Sequence, residues 1–567
     1  MKKIPYGISN FEQLRRENYL YIDKTRYIEL LEQDAPYQFF IRPRRFGKSL
    51  FLSMLDNYYD VMKKDRFEGL FGDLYIGENP TQYKNSYLVF RLSFAGLITS
   101  QGEERFIDSF DKTLIDEAGN FLKRYADRLG GEVLPESITG AETVIKYIVG
   151  VASRHNQRIF VLIDEYDNFA NDLIGIGHKE LYYELLSAEG YVRSFYKALK
   201  EGTVKSIARV FMTGVSPIML DDLTSGFNIT KNITMESSYN EMLGITKEEL
   251  KGILAYYQVN TYLDIQSVIK DMEEYYNGYL FSGWHDIRVY NTNMALYFID
   301  ALNRYRRYPQ SILDANIKTD YRKIENLAFH FKDEETITNL LTEGQIQSPL
   351  VDRFNLEYMY EKKENFISVL YYMGMLTIDK TMPNGYIFGI PNYVIRTIYW
   401  EYFLDRMKLK QRIDMRVDVL TQAVDNMAVN GEADKFRQYV TAFITTLSNR
   451  DLIRFDEKYI KMILMTLFYE NGYYIPYSEY EVEGGYIDIL LKKNKAFTDY
   501  IKYEWMIELK YLKESERDRL EQVKQQGREQ LQKYGRSEKM MKEFDRSYRK
   551  LLIVLVGKND IYLECIG

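Results

Sequence analysis

The 567-residue sequence has one cysteine, Cys565, and four histidines. A single thiol rules out an internal disulfide framework, and so few Cys and His argue against a zinc or histidine metal cluster. Eleven prolines and 34 glycines are too few for long disordered linkers. Long hydrophobic runs are missing as well: "IFVLI" and "LLIVLV" have the length of strands and fall far short of a membrane span. The opening "MKKIPYGISNFEQLRREN" has no apolar core of a signal peptide, so the expectation is a cytoplasmic protein with no membrane partner. Nor is there a global excess of positive charge. The formal net charge is −7, which gives no overall sign of nucleic-acid binding. The balance is uneven, at +4 over residues 1–50 and +6 over residues 491–550. That distribution is compatible with phosphate contacts at both ends, and equally with solvated helix faces.

What is present is an ordinary folded composition, 46% hydrophobic and 28% charged, over a length that suggests roughly three or four domains. Residues 41–50, "IRPRRFGKSL", end like a phosphate-binding loop. In the pattern G-x-x-x-x-G-K-[ST], Gly47, Lys48 and Ser49 are in place, but Arg42 stands at the first glycine. "YQFF" and Ile41 supply an apolar strand before the turn. After it, Leu50, Leu52, Met54, Leu55, Tyr58 and Tyr59 fall close to helical spacing. A helix starting there faces phosphates with its positive dipole end. Gly47 lets the backbone approach the ligand, Lys48 reaches the outer phosphates, and the Ser49 hydroxyl takes a place on Mg²⁺. A basic surface turn is the bland alternative for this short motif.

"RIFVLIDEYDNF" adds a strand, Ile159 to Ile163, ending in Asp164 and Glu165. An aspartate at the tip of a buried strand can hold magnesium through water, and the adjacent glutamate can polarise the attacking water. The two motifs in this order define an expected ATP site. Further strands at 87–94 and 207–214, with helical segments between, predict a parallel sheet wrapped by helices. An extra strand between the two motifs and an Asp-Glu pair give the additional-strand arrangement of AAA-type ATPases, in which a polar residue ending the strand beside the second motif senses the γ-phosphate. Thr213 and Ser216 are the candidates, although "MTGVSP" also reads as a plain turn.

"YGISNFEQLRRENYLYIDKTRYIELL" followed by "FFIRPRRFGKSLFLSML" resembles the AAA-ATPase-like family of bacterial and archaeal proteins. "YYNGYLF" with "VYNTNMALYF" (275–298) resembles that family's following module. The family's loop reads R-P-R-R-F-G-K-[ST]. The resemblance therefore implies that Arg42, Arg44 and Arg45 replace glycine contacts with charge, on the phosphates or on a neighbouring segment. Arg44, Arg45, Phe46, Gly47, Lys48, Ser49 and Thr213 are the expected nucleotide-binding residues. Asp23 and Lys24 of "YIDKT" also match, but chemistry gives them no role beyond capping a helix.

Near the other end, "EGGYIDILLKKN" puts Asp488 in an alternating strand, and "YEWMIELKYLK" puts Glu508 and Lys510 on one face of another. Carboxylates meeting from neighbouring strands can bind Mg²⁺, and a lysine beside them can activate water and stabilise negative charge. Phosphodiester hydrolysis requires those groups, though a charged open face on a hairpin gives the same letters. The layout D-(19 residues)-E-x-K resembles the PD-(D/E)XK nuclease superfamily, with Ile487 in place of the proline. The resemblance implies Asp488 and Glu508 as metal ligands and Asp488, Glu508 and Lys510 as catalytic residues. It extends to a preceding helix, where Glu457 is a further carboxylate candidate, and to a later one, with Gln530 and Tyr534 near the active face.

The expected fold is α/β. A P-loop NTPase of the additional-strand, AAA type, with a parallel sheet, spans residues 1–235. A lid or winged-helix-like module follows at 236–300, then a mostly helical connector at 301–445 with Asn430-Gly431 at a helix–helix turn. A C-terminal α/β PD-(D/E)XK nuclease-like domain fills 446–567. The expected function is an ATPase that gates a Mg²⁺-dependent nuclease, with DNA favoured over RNA as partner and homo-oligomerisation open. The alternative is a nucleotide-dependent switch whose nuclease-like domain holds nucleic acid or a partner without cutting, since fold does not fix function. A helicase-like motor is weaker still, as no helicase motifs are visible.

Overall fold

The computed structural model describes the chain except residues 176–177, 187–189, 218–226, 315–333, 353, 355–360, 412–415, 449–455, 545–547, 558–559 and 567. It divides into two compact units. One comprises Met1–Arg306, Leu313–Thr336 and Gln345–Tyr393; the other comprises Arg307–Ile312, Ile337–Gly344 and Val394–Gly567.

The first unit is built on a parallel sheet of β1 (Tyr37–Ile41), β2 (Leu88–Ser93), β3 (Ile159–Asp164), β4 (Ile207–Gly214) and β5 (Lys231–Asn232). Their spatial order is β2-β3-β4-β1-β5. Every residue of β3 is buried, and all but one of β4, as befits strands covered on both faces. Helix Lys48–Tyr59 packs against β2 and β3, helix Glu103–Arg124 against β2, and helix Tyr191–Thr203 against β4. Along the chain β2 lies between the two motifs, yet in space the strand separating β1 from β3 is β4. Register partners Phe40↔Thr213 and Ile41↔Gly214 therefore bring the end of β4 alongside the phosphate loop.

Helices Lys247–Tyr256, Ile265–Tyr276 and Thr292–Tyr305 follow, the first opened by a capping box between Thr246 and Glu249. Isolated bridges Ile245↔Tyr290 and Tyr279↔Val289 fold residues 277–290 back. The stretch 301–445, expected to be mostly helical, also carries an antiparallel sheet. Its strands are β6 (Gln345–Ser348), β7 (Thr377–Met382) and β8 (Gly385–Gly389), in the order β6-β8-β7. β7 and β8 join through Pro383-Asn384, and Gly385 takes φ 128°, a conformation open to glycine. Strands this short show too little alternation to stand out beside helical stripes.

The second unit's sheet holds β9 (Tyr474–Val482), β10 (Gly485–Lys493), β11 (Glu504–Leu512), β12 (Tyr548–Val556) and β13 (Asp560–Ile566), in the order β13-β12-β11-β10-β9. Only β11 and β12 are parallel. A parallel pair needs a crossover, and helix Leu520–Gly535 lies within it. Its Val523, Leu531 and Tyr534 share a buried cluster with Leu490, Met506 and Leu552 of the sheet. Helix Glu457–Glu470 packs against β9, β10 and β11. Helices Val417–Asn430 and Asp434–Ser448 turn at Gly431, φ 71°, as the Asn-Gly signal predicts. The Trp505 indole of β11 donates to the Met427 carbonyl at 3.1 Å. Among the described residues no helix is long and apolar enough to cross a membrane.

Candidate nucleotide and metal sites

The first site grows from the end of β1. The chain turns through Arg45 and Gly47, with φ of 70° and 98°, and enters helix Lys48–Tyr59. Among the described residues no side chain caps that helix, so its first N–H groups stay open to a ligand. A cavity of about 500 Å³ begins here, the size of a small-molecule site. Arg44, Arg45, Phe46, Gly47, Lys48, Ser49 and Glu165 all line it. An apolar wall comes from a stretch with no assigned role in the sequence: Ile8, Leu14, Leu20 and Ile22, joined by Leu50 and Leu296.

Asp23 and Lys24 pin that stretch in place. Asp23 accepts from the Thr25 N–H at 2.8 Å, the Thr25 hydroxyl at 2.6 Å and the Tyr75 N–H at 2.8 Å. The buried Lys24 ammonium donates to both Glu249 oxygens, at 2.7 and 2.9 Å, and to the Glu241 carbonyl at 3.1 Å. Thr25 is local, but Tyr75, Glu241 and Glu249 lie 52 or more residues away, so no local pattern announces them.

Lys48 is buried, and its Nζ donates to the carbonyls of Arg42 at 2.8 Å and Pro43 at 2.9 Å. Burial lowers its pKa to about 8 against the pull of Asp164, Asp167 and Glu165. Asp164, at the tip of β3, is buried and accepts from the Glu165 N–H at 3.1 Å. Glu165 has φ 50°, a left-handed backbone uncommon for a residue with a side chain and often kept at functional sites. Burial first, and then Asp164, raises its carboxyl above the ordinary range. Glu165 lines the cavity, and Asp164 does not.

Arg42 takes the second of its two expected destinations, the neighbouring segment, while the two candidates for the γ-phosphate stand elsewhere than expected. Arg42 is 1% exposed and turns to the neighbouring segment. It donates to the carbonyls of Ile41, Thr234 and Tyr239 at 2.8, 2.9 and 2.9 Å, and stacks between the rings of Phe40 and Phe281, each 4.1 Å away. Thr213, expected at the γ-phosphate, does not line the cavity. Its buried hydroxyl donates to the Phe40 carbonyl at 2.8 Å and ties β4 to β1. The Ser216 hydroxyl is likewise occupied, by Asp167 and Asn171. Asp167 organises this corner and was missed in the sequence. Its buried carboxylate accepts from the N–H groups of Val215 and Ser216 and from the Asn171 amide, and Val215 is what reaches the cavity. The repeated acid in "DEYD" was the available signal.

In the second unit, pairing Ile489↔Ile507 sets Asp488 of β10 beside Glu508 of β11. Asp488 Oδ2 accepts from the Leu509 N–H at 2.8 Å. Lys510 Nζ donates to Glu508 Oε1 at 2.6 Å, as their two-residue spacing on a strand predicts. Glu508 is 1% exposed, and among the described residues its Oε2 has no hydrogen-bond partner. Burial raises the Glu508 carboxyl to about 7, with Asp488 adding to the rise and Lys510 opposing it. Burial raises Asp488 as well. A buried carboxylate oxygen without a donor is costly, and a divalent cation would satisfy it while cancelling the repulsion between the carboxylates. On that ground the pair fits Mg²⁺. Among the described residues no group of three or more His, Cys, Asp or Glu is gathered for a metal. Glu457 is near enough for Asp488 to raise its carboxyl, after burial itself.

Sequence reasoning missed Lys461 and Glu479. Lys461 pairs with Glu479 and lies 4.0 Å from Asp488 Oδ1. Glu479 faces Asp488 across the strands, between the pairs Ile487↔Tyr480 and Ile489↔Ser478, with φ 52°. The four-residue step from Glu457 to Lys461, which sets both on one helix face, was the readable signal.

A parallel sheet with β4 inserted between the phosphate-loop strand and the acidic strand defines an additional-strand P-loop NTPase. A mixed sheet carrying paired carboxylates and a lysine defines the second unit. Residues 5–224 match the family described as Predicted AAA-ATPase, and residues 455–564 match the PD-(D/E)XK nuclease superfamily. The chain joins an N-terminal AAA-ATPase-like domain to a C-terminal domain of the PD-(D/E)XK nuclease superfamily. A relative, "Uncharacterized protein in vnfD 5'region" of Azotobacter chroococcum mcd 1, is 27% identical over 296 residues, which are 51% of this chain and 50% of that protein. The chain thus spans about half the length of that relative. Among solved structures, a Walker-type ATPase of Pyrococcus abyssi is 13% identical with a TM-score of 0.35, covering 66% of this chain and 94% of its own. Cdc6p of Pyrobaculum aerophilum is 11% identical with a TM-score of 0.30, covering 70% and 98%.

Proposed function

We propose that the protein binds and hydrolyses ATP in the Lys48 cavity, and that this cycle gates Mg²⁺-dependent cleavage of DNA at Asp488 and Glu508. At the first site Lys48 and the open N–H groups after Gly47 hold the phosphates, while Ser49 holds the magnesium directly and Asp164 holds it through water. Glu165 orients the attacking water, and the wall of Ile8, Leu20 and Leu296 takes the base. Within the chain, residues 1–235 form the ATPase core, 236–300 its lid, 301–445 the connector and 446–567 the nuclease-like domain.

At the second site Asp488 and Glu508 hold the metal, and Lys510 orients water and steadies negative charge. The bound Mg²⁺ supplies Lewis-acid stabilisation of charge developing on the phosphate. The observation that carries this reading is the orphaned Glu508 Oε2. A domain that only held nucleic acid would have no need of a buried, unpartnered carboxylate oxygen.

The test is a calorimetric titration of the full chain with Mg²⁺ or Mn²⁺, wild type against Glu508→Gln. Cleavage of single- and double-stranded DNA and RNA is assayed beside it. Loss of both metal binding and DNA cleavage in the variant supports the proposal. Metal binding untouched by Glu508→Gln would overturn it.

A further inference from the structure

We infer that Asn291-Thr292-Asn293, outside the ATPase core, is the positioning element of the phosphate loop and couples nucleotide binding to helix Thr292–Tyr305, an inference resting on the ATP reading of the cavity. A phosphate loop turns its N–H groups inward, so its carbonyls face outward and need donors. Here three consecutive residues supply them. The Asn291 amide donates to the Arg44 carbonyl at 3.1 Å, the Asn293 N–H to the Arg45 carbonyl at 3.3 Å, and the Thr292 hydroxyl to the Phe46 carbonyl at 3.1 Å.

The same residues start a helix. Asn291 is fully buried, and its Oδ1 accepts from the Met294 N–H at 3.3 Å, so one side-chain amide serves both loop and helix. The Phe46 ring, 1% exposed, stands edge-on to Tyr279 at 5.0 Å and to Phe281 at 5.3 Å. Gly374 backs Pro43 so closely that a Cβ there would fall 2.7 Å from the proline ring. The loop is therefore gripped from outside by residues more than two hundred positions downstream. Such support explains how "RPRRFGKS", with a single glycine, holds its shape. Thr292, Asn293 and Leu296 also line the cavity, so a ligand there touches the first turn of the helix directly.

The experiment compares wild type, Lys48→Ala, Thr292→Val, which keeps the shape but lacks the hydroxyl, and Thr292→Ser, which keeps the hydroxyl. For each, binding of a fluorescent ATP analogue and the melting temperature of the nucleotide-free protein are measured. Thr292→Val is expected to bind about tenfold more weakly, the effect of one buried carbonyl losing its donor. Thr292→Ser restores binding, and both variants melt close to wild type. Equal binding by Thr292→Val and wild type overturns the inference. So does weakened binding that tracks a lowered melting temperature in both variants. If wild type itself binds no ATP analogue, the ATP reading fails first and this inference with it. A second measurement needs no variant: ATP is expected to slow amide hydrogen exchange over residues 291–296, and unchanged exchange there overturns the coupling.

Discussion

The Lys48 ammonium donates to the Arg42 carbonyl at 2.8 Å, while the Arg42 guanidinium turns away to the carbonyls of Thr234 and Tyr239. The lysine thus rests on its own loop, and in the proposed ATP site it exchanges these carbonyls for phosphates. The arginine at the place of the pattern's first glycine is a strut. Arg42→Leu strands three buried carbonyls and empties the slot between Phe40 and Phe281. The expected loss is about 3 kcal/mol of stability, read as a lower denaturant midpoint. Arg42→Lys recovers little of it, because an ammonium has neither the fork nor the planar face. Wild-type stability in Arg42→Leu would contradict the assignment.

Burial that lowers Lys48 to about 8 leaves it largely neutral at high pH in the nucleotide-free protein. Phosphates favour the ammonium. Nucleotide binding should therefore take up close to one proton at about pH 9 and close to none at about pH 6.5. Calorimetry in buffers of different ionisation enthalpy reads the difference. The unfolded chain, with lysine near its ordinary 10.5, binds more protons over this range. The stability cost of burying the group therefore shrinks as pH rises from about 8 to about 10.5. No proton uptake at pH 9 would show that Lys48 does not meet the phosphates.

Glu508 has the opposite sign. Its carboxyl rises from 4.5 to about 7 on folding, so the native state holds more protons than the unfolded one across that window. Metal-free stability is lost as pH rises from about 4.5 through about 7. Glu508→Gln should remove that slope and raise the metal-free melting temperature at pH 8. It should also abolish the stabilisation that Mg²⁺ gives wild type. Thermal melts at pH 5 and 8, with and without Mg²⁺, check all three. A Glu508→Gln variant still stabilised by Mg²⁺ would contradict the metal assignment.

Lys461 stands 4.0 Å from Asp488, where it would compete with the proposed metal. Lys461→Met should bind Mg²⁺ two- to fivefold more tightly, since about 0.4–1 kcal/mol of competing charge is gone. Cleavage should fall about tenfold, because Asp488 loses a group that orients it. Calorimetry and single-turnover rates separate these effects. Weaker metal binding in Lys461→Met would instead make the lysine a structural support.

What was legible in the sequence was local. β1 running into Gly47, Lys48 and Ser49, and β3 ending at Asp164, are short-range patterns, and the structure places them in one sheet. The two-residue step from Glu508 to Lys510 likewise put both side chains on one face. What was hidden depends on distant partners. Arg42 is read by carbonyls 192 and 197 residues away. Thr213 was placed correctly at the end of its strand, but its hydroxyl goes to Phe40, a choice the register makes. Lys461 meets Glu479 and Asp488 only after three elements have packed. The β7–β8 hairpin did leave a sign, Pro-Asn-Gly between short apolar runs, and the helical stripes around it masked that sign.

The most direct measurement of the whole account is a cleavage assay on DNA with Mg²⁺, with and without ATP. Wild type runs beside Lys48→Ala and Asp488→Ala. The account predicts cleavage by wild type that changes with ATP, cleavage indifferent to ATP in Lys48→Ala, and none in Asp488→Ala. Cleavage that persists in Asp488→Ala, or its absence from wild type under every condition while ATP is still turned over, would contradict it.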